Sequence, residues 1–304
     1  MRVLVTGATG FVGTWLMREL TSAGHQAIGA PSSSELDIND GPGLARLVEG
    51  VAPDAVAHLA AISFAGDAAR DPQAAVAVNA GGTRAVLTAV AESAPGAPVL
   101  VTSSSEVYGR PAPEDLPLRE AHPPRPVHAY GRSKLAQEEV ALDLAATHGI
   151  PLVITRAFNH AGPGQRTDFV IPALASRILD AMREGRNTIR AGNVDVRRDI
   201  GDVRDVVRAY RLLLEGAVGA GRPFEPAVYN VATGRSISIR DVITELASLA
   251  GATVEVEIDP ALVRADDPPE IRGDATKLME AVGWSPEWPL STTLADVLAS
   301  AARS

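Results

Sequence analysis

Short apolar stretches alternate with longer segments of helical pattern over most of this chain. The short stretches are apolar at almost every position, which is typical of strands in a parallel sheet that is covered on both faces. They predict strands over residues 2–6, 25–30, 54–60, 98–103, 151–156 and 227–231. Helices are predicted over residues 13–23, 43–51, 71–92, 130–147 and 203–214. Alternation of this kind predicts an α/β fold with a doubly wound parallel sheet.

The regular alternation weakens after residue 156. Proline and glycine then recur at short intervals and divide the later chain into short elements. We therefore expect a larger lobe formed by residues 1–157 and a smaller, interleaved C-terminal substrate lobe formed by residues 158–193 and 234–304. Residues 194–233 are expected to return to the first sheet.

Composition narrows the class of protein. With 304 residues, 46% of them hydrophobic, the chain can bury a large core. Its formal net charge of −9 argues against non-specific nucleic-acid binding, which depends on lysine and arginine. The absence of cysteine excludes disulfides and thiolate ligands, and the six scattered histidines indicate no metal site. The N-terminus resembles a buried strand rather than a signal peptide, and we identify no apolar run of membrane-spanning length, so we expect a cytoplasmic protein without membrane contact.

A glycine-rich turn follows the first predicted strand. Gly7, Gly10 and Gly13 are spaced G-x-x-G-x-x-G, and a predicted helix begins at the last of them. Glycine lets the backbone approach a pyrophosphate, and the helix N-terminus supplies free N–H groups for it. Glycines that serve packing alone are the alternative, but the position between a strand and a helix favours a Rossmann dinucleotide-binding turn.

The end of the second predicted strand does not decide between NADH and NADPH. An acidic residue there would bind a free ribose 2′-hydroxyl and an arginine would accommodate a 2′-phosphate, but residues 29–34 contain neither. Both cofactors therefore stay open. Asp37 is a candidate partner for the adenine amino group, and a solvated loop carboxylate is the alternative for it.

A tyrosine and a lysine lie one helical turn apart at Tyr130 and Lys134. An ammonium beside a phenol is expected to lower the tyrosine pKa, which suits a group that exchanges a proton with a carbonyl oxygen. Ser104, Ser105 and Glu106 follow the fourth predicted strand, at the sheet edge where catalytic groups collect. A serine there can share the carbonyl oxygen with Tyr130, although serines also satisfy backbone groups at turns.

Together these segments resemble the extended short-chain dehydrogenases that modify nucleotide sugars. The resemblance rests on residues 6–13, 58–61, 78–83, 104–109 and 130–134, and it extends over essentially the whole chain. It implies that Ser104, Ser105, Glu106, Tyr130 and Lys134 are catalytic. The cofactor-binding residues that it implies are Gly7, Thr9, Gly10, Phe11, Val12, Gly13, Asp37, Ile38, Leu59, Ala60, Ala61, Asn79, Thr102, Tyr130 and Lys134.

The second half is similar to the branch of this family that acts on GDP-mannose derivatives, through residues 158–165, 168–170, 192–195, 198–205 and 229–231. The similarity implies that a GDP-sugar binds at Asn159, Val170, Arg198, Arg264 and Asp267. Guanidinium groups match the two negative charges of a diphosphate well. Arg197 departs from this branch, which usually has valine there, and surface ion pairs are the alternative role for Arg198 and Arg264.

The implied activity is reduction of the 4-keto group of a GDP-4-keto-6-deoxyhexose by NADPH or NADH. A 4,6-dehydratase of the GDP-mannose type is the first alternative, because Glu106 occupies the position where dehydratases carry the base for the C5 proton. A C4-epimerase and a dinucleotide-sensing regulator without turnover are the others. The family also implies a homodimer joined by the helices over residues 71–92 and 130–147, and the first of these offers a surface of small residues.

Overall fold

The computed structural model describes residues 1–219, 226–263 and 267–303, and its centre is a six-stranded parallel sheet in the order β2-β1-β3-β4-β5-β9. The strands are β1 (Arg2–Thr6), β2 (Gln26–Gly29), β3 (Ala55–His58), β4 (Val99–Ser104), β5 (Leu152–Ala157) and β9 (Ala227–Val231). These are the six predicted strands, with ends that differ by at most a few residues. The predicted doubly wound α/β fold is confirmed.

Helices cover both faces of this sheet. On one face α1 (Phe11–Ser22) and α8 (Val203–Gly219) bury apolar side chains such as Leu16 and Val207. On the other face, Leu44 and Leu144 belong to a core formed with α2 (Gly41–Val51), α5 (Gly82–Ser93) and α6 (Ala129–His148). Burial on both faces explains why the strands carry no polar face.

The helix predicted over residues 71–92 is interrupted. The structure has α3 (Ala65–Arg70), α4 (Pro72–Val76), a π-helical turn over Ala77–Gly81 and then α5. The run Pro72–Ser93 is long and apolar enough to span a membrane by length and composition, so our expectation that no apolar run has this length was wrong. Half of its most apolar window is buried inside the protein, as in a core helix of a globular fold.

The smaller lobe has its own sheets and core. Its strands are β6 (Asn159–Ala161), β7 (Thr188–Ala191), β8 (Arg197–Asp202), β10 (Ser236–Ser238), β11 (Glu255–Ile258) and β12 (Glu270–Ile271). The helices of this part of the chain are α7 (Val170–Arg183), α9 (Ile239–Ala250), α10 (Thr276–Val282) and α11 (Leu290–Ala301). Strand β8 pairs with β6, β10 and β12, and β7 pairs with β11. Ile171, Val242 and Leu294 contribute to the apolar core beneath them.

The chain crosses between the lobes more than once. Within residues 194–233, β8 belongs to the small sheet, whereas α8 and β9 pack into the large lobe. The return to the first sheet therefore begins at α8, because β8 is occupied by its pairing with β6, β10 and β12. Leu278 and Trp284 also enter the large core, although they follow the smaller lobe in sequence. The two-lobe division stays a proposal, with a boundary more interleaved than the sequence indicated.

A buried ion pair joins α6 to β5. Arg156 donates from Nε and Nη2 to the two carboxylate oxygens of Glu138 at 3.0 and 2.7 Å, and both side chains are at least 94% buried. Ser103 Oγ, near the end of β4, donates to the same carboxylate. Three adjacent elements of the large lobe therefore meet at Glu138, just below the edge of the sheet where the catalytic residues are expected.

Replacing Glu138 by glutamine should lower the free energy of unfolding by about 3 kcal/mol, because it leaves the Arg156 charge buried without a counter-charge. Urea denaturation followed by circular dichroism would measure the change. Glu139→Gln, at the exposed neighbouring position, is the matched control and should stay within about 0.5 kcal/mol of the wild type. Equal stabilities of the two variants would contradict a structural role for the ion pair.

Candidate active site

The glycine turn after β1 is built by two close backbone approaches. Gly7 has φ +70°, and a Cβ there would lie 2.8 Å from the backbone nitrogen of Ala60. A Cβ on Gly13 would lie 2.1 Å from the carbonyl oxygen of Gly7, so α1 can pack on the turn only with glycine at this position. These contacts hold the turn against Leu59 and Ala60, which directly follow β3. The glycine turn and the loop after β3, with Leu59, Ala60 and Ala61, thus form one continuous surface, the cofactor wall.

The N-terminus of α1 is free to receive an anion. Gly10 is its N-cap and provides no side-chain cap, and the first turn has no acidic residue. The first backbone N–H groups of this twelve-residue helix, from Phe11, Val12 and Gly13, are therefore available to phosphate oxygens. Thr9 is exposed beside them. This backbone cradle fits the pyrophosphate of NADH or NADPH.

The loop after β2 contains Asp37 and Ile38, which the sequence predicts to contact the cofactor. Asp37 is exposed and accepts a hydrogen bond from the Asn39 backbone N–H at 2.9 Å, while Ile38 packs closely against Gly82 of α5. Glu35, which no sequence pattern singles out, accepts with its carboxylate from the Ser32 hydroxyl and N–H at 2.8 and 3.0 Å. Ser32 is the third residue after the end of β2, and the folded loop turns Glu35 back towards it.

The proposed catalytic serines lie where β4 meets the start of α6. Ser104 ends β4, and Ser105 and Glu106 begin the short 3₁₀ helix that follows. Gly131 makes the contact possible, because a Cβ there would lie 2.5 Å from the Glu106 carbonyl oxygen. The approach sets the Tyr130 phenol close to Ser104 and Glu106, both of which influence its pKa. The structure thus brings the tyrosine, a serine and Glu106 together at this edge of the sheet.

The expected lowering of the Tyr130 pKa is not found. Burial raises the Tyr130 pKa above its ordinary value, and the charge of Glu106 adds to this, while the Ser104 hydrogen bond opposes it. The Lys134 ammonium donates instead to the Thr102 carbonyl and to Gln137 Oε1, both at 2.8 Å. In this structure Tyr130 is therefore held in its neutral, proton-carrying form.

Lys134 is itself buried, with 2% of the residue exposed. Burial lowers its pKa to about 7, against the opposing influence of the Glu138 carboxylate. Thr102, whose carbonyl oxygen accepts a hydrogen bond from Lys134, donates its own hydroxyl hydrogen to the His58 carbonyl at 3.3 Å. The lysine is consequently held by backbone and side-chain oxygens at the end of the parallel strands.

Asn79 lies behind the cofactor wall and is fully buried in the π-helical turn. Its side-chain oxygen accepts from the Ile62 N–H at 2.8 Å, and its nitrogen donates to the Ile62 carbonyl and to Ser133 Oγ. These bonds fasten the loop that contains Leu59, Ala60 and Ala61 to α6. Asn79 therefore fixes the position of this loop, and with it the cofactor wall. The π-helical turn makes room for the Asn79 side chain.

The predicted substrate residues lie on the smaller lobe. Asn159 begins β6 and is exposed, and Val170 begins α7 with 41% of its surface exposed. Arg198 on β8 forms an ion pair with Asp267 and also donates to the Pro268 carbonyl at 2.9 Å. Two of the predicted residues therefore bind each other. Arg264 lies outside the described residues.

Arg197, the position that departs from the GDP-mannose branch, is exposed on β8. Its guanidinium donates to the Ser236 carbonyl at 2.8 Å and to the Ser236 hydroxyl at 3.3 Å. It lies next to Arg198 in sequence, but adjacent residues in a strand point to opposite faces. Arg197 therefore adds positive charge at the surface rather than joining the Arg198–Asp267 pair.

Comparison with known proteins gives the same assignment for the whole chain. Residues 3–232 match the model of the NAD dependent epimerase/dehydratase family. The chain is 37% identical to GDP-6-deoxy-D-mannose reductase of Pseudomonas aeruginosa over 98% of its length and 96% of the relative. It is 29% identical to GDP-6-deoxy-D-talose 4-dehydrogenase of Aggregatibacter actinomycetemcomitans over 93% and 92% of the two chains.

A solved structure agrees closely with the fold. RMD from Pseudomonas aeruginosa, complexed with NADPH, superimposes with a TM-score of 0.90 and 34% identity over the full length of both chains. The family match, the relatives and the glycine cradle all indicate an enzyme that uses a nicotinamide dinucleotide. The chain belongs to the NAD dependent epimerase/dehydratase family and is an NAD(P)-dependent oxidoreductase of the extended short-chain dehydrogenase type that acts on a nucleotide sugar.

Proposed function

We propose that this enzyme reduces the 4-keto group of a GDP-4-keto-6-deoxyhexose with NADPH or NADH. The observation that carries the proposal is the contact between Tyr130 and Ser104 at the carboxyl end of β4, with Lys134 buried one helical turn behind. A phenol and a hydroxyl side by side can both hydrogen-bond to one substrate carbonyl oxygen while that oxygen gains a proton. Similarity over the full chain to a GDP-6-deoxy-D-mannose reductase supports the choice of sugar and nucleotide.

The chemistry assigned to the protein is proton transfer and orientation. The reduced nicotinamide, when bound, supplies the hydride. Tyr130 then donates its proton to the C4 oxygen, and the raised pKa of Tyr130 keeps that proton in place until it is needed. The Ser104 hydroxyl orients the same oxygen, and its interaction with Tyr130 favours the phenolate that remains.

The smaller lobe is proposed to hold the nucleotide. Arg198 would face the diphosphate, with its guanidinium orientation fixed by Asp267 and by the Pro268 carbonyl. Asn159 and Val170 are exposed at the starts of their elements and would contact the diphosphate and the nucleoside. Arg264 completes the proposed set from the sequence alone.

Tyr130→Phe should lower the turnover number for the 4-keto sugar by about two to four orders of magnitude, the usual contribution of a positioned general acid. Cofactor affinity, measured by fluorescence titration with NADPH and NADH, should change little because the ring is retained. Tyr229→Phe, on β9, is the matched control and should turn over at the wild-type rate. Near-normal turnover in Tyr130→Phe would show that another group protonates the ketone.

A 4,6-dehydratase is the second candidate, and Glu106 is the observation that favours it. The Glu106 side chain is half-buried, and its charge is felt by Tyr130. A carboxylate there could remove the C5 proton of a 4-keto sugar. In a reductase no C5–H bond breaks, so the same carboxylate can only orient the sugar.

Glu106→Gln separates these two reactions. We expect the variant to reduce the 4-keto sugar about tenfold more slowly than the wild type, since it keeps the shape and loses one orienting interaction of about 1 kcal/mol. Oxidation of the cofactor, followed by its absorbance, measures the rate. Glu114→Gln, an exposed position in the next loop, is the control. If the wild type converts GDP-mannose to the 4-keto sugar without added cofactor and Glu106→Gln does not, the enzyme is a dehydratase.

We also propose that the enzyme is a cytoplasmic homodimer in which α4, α5 and α6 of two copies pair. The small-residue surface expected over residues 71–92 needs correction, because Ala75, Val86, Ala89 and Val90 face the protomer's own core. Exposed Val76 and Ala77 and partly exposed Val78 and Ala85 remain for an interface. Light scattering at micromolar concentration should give twice the mass of the 31.6 kDa chain, and a monomer mass would refute the dimer.

A further inference from the structure

A continuous line of hydrogen bonds runs through the interior from the glycine turn to Lys134. Thr6 Oγ1 lies 2.7 Å from His58 Nδ1, and His58 Nε2 lies 2.9 Å from Thr83 Oγ1. Gln137 Nε2 lies 2.9 Å from the same Thr83 hydroxyl, and Gln137 Oε1 accepts from Lys134 Nζ at 2.8 Å. Thr6, His58, Thr83 and Gln137 are fully buried, and the function proposed above assigns none of them a role.

Counting hydrogens at Thr83 fixes the direction of every bond. A hydroxyl has one hydrogen, and Thr83 donates it to the Asn79 carbonyl oxygen at 2.7 Å. Its two remaining neighbours, Gln137 Nε2 and His58 Nε2, must therefore both donate to it. His58 consequently carries its proton on Nε2.

The other end of the imidazole agrees with this tautomer. With Nε2 protonated, the neutral ring has a bare Nδ1, which must accept a hydrogen from Thr6 Oγ1. The Thr6 oxygen in turn accepts from the Ala60 backbone N–H at 3.2 Å. Burial and the nearby Lys134 charge lower the His58 pKa to about 3, so the ring stays neutral.

The glutamine orientation is set independently from both sides. Thr83 requires the amide nitrogen of Gln137, and Lys134 in its ammonium form, which can only donate, requires the amide oxygen. The Thr102 carbonyl engages a second ammonium hydrogen at 2.8 Å. Within the described part of the chain these are the two hydrogen bonds of the Lys134 ammonium, so one of its three hydrogens remains for a further acceptor.

We propose that Thr83 and His58 are positioning residues that orient Gln137 and thereby aim Lys134 at the reacting centre. The same bonds reach the Ala60 N–H, so the lysine is positioned relative to the cofactor wall. The catalytic part of this proposal rests on the proposed reduction, while the tautomer of His58 does not depend on it.

The tautomer is tested by nuclear magnetic resonance on protein labelled with ¹⁵N-histidine. We expect long-range ¹H–¹⁵N correlations to show His58 protonated at Nε2 and bare at Nδ1, unchanged between about pH 5 and 8, with the resonance assigned by its loss in His58→Gln. A ring that is protonated at Nδ1, or that titrates in this range, would overturn the proposal. This measurement stands even if the enzyme fails to reduce the proposed sugar.

The positioning role is tested with two variants at Thr83, one that removes the hydroxyl and one that keeps it. Thr83→Val keeps the shape and leaves the Gln137 and His58 donors without their acceptor, whereas Thr83→Ser keeps the hydroxyl. In single-turnover reduction, under saturating sugar and cofactor, we expect the rate in Thr83→Ser to exceed that in Thr83→Val by about tenfold. Thr88→Val, on the same helix, controls for the substitution itself.

Thermal unfolding and cofactor binding would verify that each Thr83 variant is folded at the assay temperature. Equal rates in folded Thr83→Ser and Thr83→Val would show that the network is only structural and would overturn the positioning role. Absence of turnover in the wild type would instead contradict the proposed function, and the histidine spectrum would then still decide whether the network is ordered as described.

Discussion

The close approach of α6 to the end of β4 is the contact on which the candidate site depends. Gly131 permits it by having no side chain to strike the Glu106 carbonyl. From there, residues 130, 134 and 138 repeat every four positions along one face of the helix. Tyr130 meets Ser104, Lys134 meets the Thr102 carbonyl, and Glu138 meets Ser103 and Arg156. One helix face therefore supplies the acid, the cation and the anchor to one strand.

Burial of charge is the electrostatic consequence of this arrangement. Lys134 and Glu138 lie one turn apart in the interior, and the Arg156 guanidinium offsets the carboxylate. Desolvation lowers the Lys134 pKa to about 7 and raises the pKa of Tyr130. Burial therefore favours the neutral form of both groups. Polar neighbours must then fix their orientation, because a buried polar group without a partner is costly. Gln137 and the Thr102 carbonyl do this for the lysine.

Much of the large lobe could be predicted from the sequence, because buried parallel strands and a glycine turn leave local patterns. The six strands, the turn at Gly7, Gly10 and Gly13 and the tyrosine–lysine spacing are all of this kind. Helices α7, α9 and α11 were not predicted, because proline and glycine in the flanking loops obscured their periodicity. Their apolar faces nevertheless form the core of the smaller lobe.

The site contacts that the sequence did not predict join residues that lie far apart in the chain. Local spacing of residue types cannot reveal such pairs. His58 is separated from Thr83 by 25 positions and from Thr6 by 52, and the sequence identified it only as part of a predicted strand and of the family-like segment 58–61. The ion pairs of Glu138 with Arg156 and of Arg198 with Asp267 were not predicted for the same reason, because their partners are distant in the sequence. The pKa of Tyr130 was predicted with the wrong sign, because helical spacing gave the lysine's position but neither its hydrogen-bond partners nor the extent of burial.

The fate of the hydride tests the assignment of this site as a reductase most directly. The enzyme would be given GDP-4-keto-6-deoxymannose and NADPH or NADH deuterated at the transferable position, and the product analysed by mass spectrometry and nuclear magnetic resonance. A reductase should place a single deuterium at C4 of the product sugar and oxidise one cofactor for each sugar reduced. A product without deuterium, formed with no net oxidation of the added cofactor, would contradict this assignment.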